Sequence, residues 1–248
     1  MCRHLAWLGP PRALSTLLSE PEWSLIRQSY EPRRQGHGTV NADGFGLGWY
    51  APGVRTEPAR YRRTIPIWGD SGLASFAPCV RSGAILAALR STTIGAAIEE
   101  SATAPFTRGR WLLSHNGAVP PKQARALLPP GAPEPESTCD SAVLAAVVFA
   151  RVEAGEPAPE VLADVVTRLG AADPAARLNL LLTDGAAVVA TRWGASLSYL
   201  ADRGLAAGGA LIASEPLDDD PGWIDVPDFA LLIATPEAVT CTALEVSP

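Results

Sequence analysis

Cys2 directly follows the initiator methionine, in the opening run Met1-Cys2-Arg3-His4-Leu5. A residue this small at position two allows Met1 to be removed. The cysteine left behind would carry a thiol and a free α-amine on one residue. The thiol is a nucleophile and the amine can serve as its base. An α-amine has a reference pKa of roughly 7.7–8.0, so an appreciable share is neutral just above pH 7. A terminal nucleophile of this kind can start acyl transfer without a separate histidine. The chemistry then needs donors for an oxyanion, a group that holds the substrate, and room for water or another acceptor.

Residue types elsewhere in the chain could supply these parts. Asn116-Gly117 places a side-chain amide beside a backbone N–H, a pair that can stabilise an oxyanion; taken alone, the dipeptide reads first as a hairpin turn. Arg90 ends an apolar run and could grip a carboxylate through two parallel hydrogen bonds, or be a surface arginine at a strand end. Asp140 could accept from a substrate ammonium, and it also suits the first turn of a helix. Arginine and aspartate together would match the head group of an α-amino acid.

The bulk properties narrow the field. The chain has 248 residues, 47% of them hydrophobic, and a formal net charge of −6. That suffices for one well-buried domain and argues against a general nucleic-acid surface. The short basic runs at Arg33-Arg34 and at Arg60, Arg62 and Arg63 read as solvated faces. The four cysteines, at 2, 79, 139 and 241, show no C-x-x-C spacing and the three histidines are scattered, so neither a metal site nor a disulfide framework is expected. No secretory leader or membrane-length apolar run is evident. The expected setting is a reducing cytoplasm, with no cofactor, no nucleic acid and no membrane. A homodimer is compatible with the sequence.

The elements that must position these residues follow from periodicity and turn chemistry. Residues 2–8 read as a strand with Cys2 at its tip, and 12–28 as two short helical pieces broken at Pro21. The stretch 41–50 reads as a turn entering a strand, with glycines at 44, 46 and 48 that permit positive φ or close backbone approach. Residues 83–89 and 111–115 are buried strands whose polar ends emerge at one edge. The proline-rich stretch 120–135 is a loop with one helical turn at 122–127. A helix covers 142–152, capped by Ser137 or Thr138 with Asp140 in its first turn. Another spans 159–169 and stops at Gly170. Strands at 178–183 and 186–191 flank the hairpin signal Asp184-Gly185. Further strands are expected at 196–200, 210–214, 229–234 and 239–244. Strands at both ends with helices in the middle indicate α+β layers.

Taken together, Met1-Cys2, Asn41-x-Asp43-Gly44-x-Gly46, Arg90-x-x-Thr93, Ser114-His115-Asn116-Gly117 and Thr138-x-Asp140-Ser141 resemble the class II glutamine amidotransferase domains, within the N-terminal nucleophile hydrolase superfamily. The segments Cys2–Leu5, Pro32–Gln35, Leu112–Gly117 and Ser214–Trp223 look more narrowly like the ergothioneine-pathway amidohydrolases, essentially end to end. The resemblance implies a four-layer αββα sandwich of two stacked antiparallel sheets, one domain over residues 2–248. It implies Cys2 as nucleophile and Asn116 and Gly117 as oxyanion donors. Arg90 and Thr93 would bind the glutamyl carboxylate and Asp140 the α-ammonium, with His115, Asp43 and Gly44 completing the substrate-binding set.

Ammonia-channelling members carry Asn-x-Gln-Pro-Phe or Asn-x-His-Pro-Phe in their glutamine loop. This chain has Ser101-Ala102-Thr103-Ala104-Pro105-Phe106, which argues against glutamine itself as substrate. The implied substrate is a small γ-glutamyl amide whose leaving group carries a trimethylammonium and an imidazole. Among seven tryptophans, Trp49, Trp68 and Trp223 are the candidates to face that cation, against the plainer reading that they pack the core. Two other functions fit the same motifs: a glutaminase subunit that hands ammonia to a separate synthase, and a catalytically silent binding domain.

Overall fold

Strand β1 (Arg3–Ala13) alternates its side chains between two apolar environments. Leu5 and Trp7 pack with Leu14, Leu17, Phe45 and Leu73 on one face, and Ala6 and Leu8 pack with Leu86, Leu112 and Leu181 on the other. A strand buried on both faces reads as a continuous apolar run, which is why the sequence shows little alternation. The computed structural model describes residues 2–36, 38, 40–92 and 98–245.

After β1 come α1 (Ser15–Leu18), α2 (Leu25–Gln28), β2 (Phe45–Trp49), β3 (Ala59–Arg63), α3 (Ser71–Phe76) and β4 (Arg81–Leu89). Next are β5 (Phe106–Arg108), β6 (Trp111–Ala118), α4 (Pro121–Arg125), α5 (Asp140–Glu153) and α6 (Ala158–Ala172). The chain ends with β7 (Arg177–Thr183), β8 (Val188–Arg192), β9 (Ser198–Ala201), β10 (Ala210–Ala213), β11 (Ile224–Asp225), β12 (Ala230–Ala234) and β13 (Val239–Ala243). One antiparallel sheet has the order β11-β9-β10-β1-β4-β2-β3, the other β13-β12-β8-β7-β6-β5. Short helices cover the first sheet. The second is covered by α5 and α6, whose Val143, Val147, Leu162 and Val165 meet Leu113, Leu180 and Leu182. The result is the expected four-layer αββα sandwich with a third core between the sheets. Among the described residues, no helix is long and apolar enough to cross a membrane.

Local differences have physical causes. Strand β1 runs five residues past the expected end at Leu8, through Pro10-Pro11, because a register shift between Leu8 and Arg12 absorbs prolines that cannot donate to the ladder. Helix α5 is capped by Cys139, whose Sγ accepts from Ala142 N at 3.4 Å, not by Ser137 or Thr138. Helix α6 continues through Gly170, against which the ring of Trp193 packs. The hairpin at Asp184-Gly185 is wider than expected, because Asp184 Oδ1 accepts from both Ala186 N and Ala187 N and β8 begins only at Val188. Strand β3 and helix α3 were not expected: the strand sequence ARYRR has no apolar face to announce it.

Candidate active site

Cys2 enters the site through strand register. Arg3 pairs with Leu89, so Cys2 lies beside Arg90 at the end of β4. Phe45 also pairs with Leu89; beyond it Arg90 N donates to Gly44 O (2.8 Å) and Asp43 N to Arg90 O (3.1 Å). Three strand ends of one sheet therefore emerge together. Facing them from the other sheet is the end of β6, which carries His115-Asn116-Gly117, with the N-terminus of α5 above it. Between these walls lies a cleft of about 570 Å³, open to solvent, lined by Cys2, Arg90, Thr103, Phe106, His115, Gly117, Cys139 and Asp140 among others.

Asn116-Gly117 is not a turn. Both residues sit inside β6, paired with Asn179 and Leu178 of β7. A Cβ at position 117 would collide with the Arg177 carbonyl oxygen, so the neighbouring strand requires glycine there. The Asp140 carboxylate ties helix to strand: Oδ1 accepts from Ser141 N (2.8 Å) and Oδ2 from Val119 N (3.1 Å). A carboxylate offers about four acceptor positions, so capacity remains for a cation in the cleft. His115 has both ring nitrogens engaged, Nδ1 with Ser141 Oγ and Nε2 with Arg177 O, each at 2.9 Å. It holds the β6 end against α5 and has no nitrogen left for proton transfer.

Several expected residues stand behind the cleft wall. Asp43 accepts from Thr92 N through Oδ2 at 2.7 Å and shapes the turn after Arg90. Neither Asp43 nor Gly44 lines the cleft. Asn116 is fully buried, while Gly117 reaches the surface of the cleft. Thr93 lies outside the described residues. The nominated tryptophans are elsewhere: Trp49 and Trp223 pack against the outer core, and Trp68 stacks edge-on with Tyr30 at a centroid distance of 5.8 Å. The aromatic residue lining the cleft is Phe106.

Burial pushes the Cys2 thiol up from its ordinary value, and the charge of Asp140 adds to this while Arg90 opposes it. The resting group is a protonated thiol that needs a base. His4 is lowered to about 3, first by burial, then by the charges of His115 and Arg3. It is neutral at any working pH.

Sequence reasoning missed a polar layer between the sheets, directly behind the cleft. His4 Nδ1 meets Ser114 Oγ at 3.0 Å, Ser214 Oγ accepts from His4 N at 3.0 Å, and the Asn116 amide reaches Ser214 Oγ at 3.4 Å. All four residues are at most 1% exposed. The signal lay in strand alternation. Ala6 and Leu8 face the inter-sheet core, as does Leu112, so Cys2 and His4 share the β1 face, and Ser114 and Asn116 the β6 face.

The basic runs are solvated at Arg33, Arg34 and Arg63, but each run also carries specific partners. Arg60 and Arg62 both pair with Glu136, at 2.9 and 3.0 Å. They also donate to Pro105 O (3.2 Å) and Thr103 O (3.1 Å), clamping the cleft-lining loop. That loop docks on β2, where a Cβ on Gly46 would strike Ala104 O and one on Gly48 would strike Leu112. The backbone N–H groups of Arg33 and Arg34 donate to the buried carboxylate of Glu215 (3.0 and 2.6 Å), and the Arg33 side chain pairs with Asp219.

The family model for glutamine amidotransferases class II matches residues 22–204. The chain belongs to this family. It is 50% identical over 245 residues to a protein of Mycobacterium tuberculosis (strain CDC 1551 / Oshkosh) named gamma-glutamyl-hercynylcysteine sulfoxide hydrolase, covering 99% of this chain and 97% of the relative. It is 48% identical to the protein of that name from Mycolicibacterium smegmatis, covering 98% and 100%. Among solved structures, the allosteric regulatory enzyme of purine biosynthesis shares the fold with a TM-score of 0.73 at 15% identity, matching all of this chain and half of that one.

Proposed function

We propose that this protein is an amidohydrolase that cleaves the γ-glutamyl amide of γ-glutamyl-hercynylcysteine sulfoxide, releasing glutamate and hercynylcysteine sulfoxide in ergothioneine biosynthesis. The observation that carries the reading is that 48–50% identity over nearly the full length to hydrolases of that name coincides with a cleft in which Cys2, Arg90, Gly117 and Asp140 converge. Residues 2–248 act as one domain. Four free cysteines suit a reducing cytoplasm.

In the proposed reaction, Met1 is removed and the Cys2 α-amine takes the thiol proton as sulfur attacks the γ-carbonyl. The C–S bond forms, and the negative charge on oxygen is met by the Asn116 amide and the Gly117 N–H. The C–N bond then breaks, the amine's proton passes to the leaving nitrogen, and a glutamyl thioester remains. Water, deprotonated by the same amine, attacks the thioester and frees glutamate and the thiol. Arg90 and, three residues further on, Thr93 hold the α-carboxylate, and Asp140 holds the α-ammonium. Asp43 and His115 act indirectly, Asp43 by fixing the backbone at Arg90 and Thr92 and His115 by bonding the Ser141 hydroxyl next to Asp140.

The test is glutamate release from three substrates: the γ-glutamyl hercynylcysteine sulfoxide, γ-glutamylcysteine and free glutamine. The expected order puts the sulfoxide first by a wide margin. Faster release from glutamine than from the sulfoxide would contradict the proposal and point to a glutaminase subunit.

A further inference from the structure

The buried layer behind the cleft contains an unbalanced hydrogen bond. Ser214 Oγ accepts from His4 N at 3.0 Å and faces the Asn116 amide nitrogen at 3.4 Å. Among the described residues, Asn116 Oδ1 has no partner although its residue is 0% exposed. A hydroxyl carries one proton and can accept twice. With both contacts made as an acceptor, the Ser214 proton and Asn116 Oδ1 are both left unpaired in a buried layer, which is costly. A half-turn of the amide about its terminal bond removes both faults at once. Ser214 then donates to Oδ1, and the NH₂ group takes the direction that has no acceptor in the free protein.

We propose that Ser214 is a positioning residue. By donating to Asn116 Oδ1, it fixes the amide with its NH₂ group toward the oxyanion. The unfilled direction is then not a packing fault. We assign it to the substrate oxygen that acquires charge during attack by Cys2, because the adjoining Gly117 lines the cleft. Two features hold the serine itself in place. His4 N occupies one of its lone pairs, and Ser214 N donates to His4 O at 2.9 Å, so both backbone groups of His4 are joined to Ser214. Since His4 is two residues after Cys2, in the strand that Cys2 leads into, the nucleophile and the oxyanion donor are referenced to one hydrogen-bonded unit. The inference rests on the oxyanion role of Asn116 given above.

The experiment is a double-mutant cycle on the γ-glutamyl hercynylcysteine sulfoxide substrate, using Ser214→Ala, Asn116→Ala and the double variant, with iodoacetamide labelling of Cys2 as a control for an intact nucleophile. Loss of one oxyanion donor lowers kcat about 100- to 1000-fold. A misoriented donor should cost about 10-fold or more, with KM within about two-fold of the parent and the Cys2 labelling rate unchanged. In the Asn116→Ala background, Ser214→Ala should change kcat by less than about two-fold, because nothing remains to orient. Fully multiplicative effects, or a rise in KM with kcat intact, would overturn the role of Ser214 and leave that of Asn116 standing. Parental kcat in Asn116→Ala would overturn both. Should Ser214→Ala not fold, Ser214→Cys keeps a side chain of the same connectivity, slightly larger, that donates only weakly. It should show the same kcat-only loss, and parental kcat in it would refute the proposal.

Discussion

Two polar regions meet at the same end of this sandwich and are built in opposite ways. Around the rim, charges are paired and partly solvated: Arg60 and Arg62 with Glu136, Arg33 with Asp219, Arg34 with Asp225. Behind the nucleophile, His4, Ser114, Asn116 and Ser214 are uncharged and buried, and among the described residues His4 Nε2 and one end of the Asn116 amide lack partners. Partly exposed ion pairs are worth only about 0.2–1 kcal/mol each. They can hold loops in register without making the rim rigid. The buried layer is the costlier arrangement, and the unpaired end of the Asn116 amide is tolerated there because the reaction uses it. The rim should therefore govern how substrate is held, and the buried layer how fast it reacts.

The sharpest way to break that division is at the nucleophile. Cys2→Ala should reduce glutamate release to background while the thermal unfolding curve stays close to the parent; measurable turnover would remove Cys2 from the chemistry. Next in size, Asn116→Ala should lower kcat about 100- to 1000-fold with little change in KM, read from steady-state kinetics. A change confined to KM would move Asn116 to the rim class.

The third prediction concerns stability. His4 is held at about 3 in the folded state and titrates at its ordinary 6.5 when unfolded. Between those values the unfolded chain binds the proton and the native protein does not. Stability contributed by His4 is thus complete above pH 6.5 and falls on acidification, with a limiting slope of about 1.4 kcal/mol per pH unit. Denaturant titrations from pH 7 to pH 4 should show a shallower decline in His4→Gln than in the parent. Equal slopes would mean that His4 is not the buried neutral group described. The smallest effect belongs to the rim. Glu136→Gln should raise KM about five-fold, equivalent to about 1 kcal/mol of loop ordering, and leave kcat nearly unchanged. A fall in kcat alone would contradict the division.

The two regions also differ in how far they could be read from sequence. The strand ends that carry Cys2, Arg90 and Asn116, the glycines of β2 and the helix that begins at Asp140 follow from local pattern, because apolar runs and turn residues act over a few positions. The rim could not be read in this way. Arg60 and Glu136 are 76 positions apart and the Arg33 amide is 182 from Glu215, so a local window sees only a basic run with no acid beside it. The buried layer was hidden for another reason. Ser114 and Ser214 are unremarkable as types, and they gain meaning only when β1, β6 and the end of β10 bring them face to face across the sheets. Asn116-Gly117 shows the limit of dipeptide signals: the same pair that makes a turn also occurs within a strand when a neighbouring carbonyl occupies the place of a Cβ. Tryptophans were poor guides because the outer core took two of the three nominated ones.

The most direct test is intact-protein mass spectrometry of the processed enzyme, acid-quenched during turnover of the γ-glutamyl substrate, followed by peptide mapping. The account predicts a glutamyl increment on the N-terminal peptide at Cys2, absent from Cys2→Ala and from protein that retains Met1. A glutamyl adduct mapped to any other residue, or full turnover by the protein that retains Met1, would contradict it.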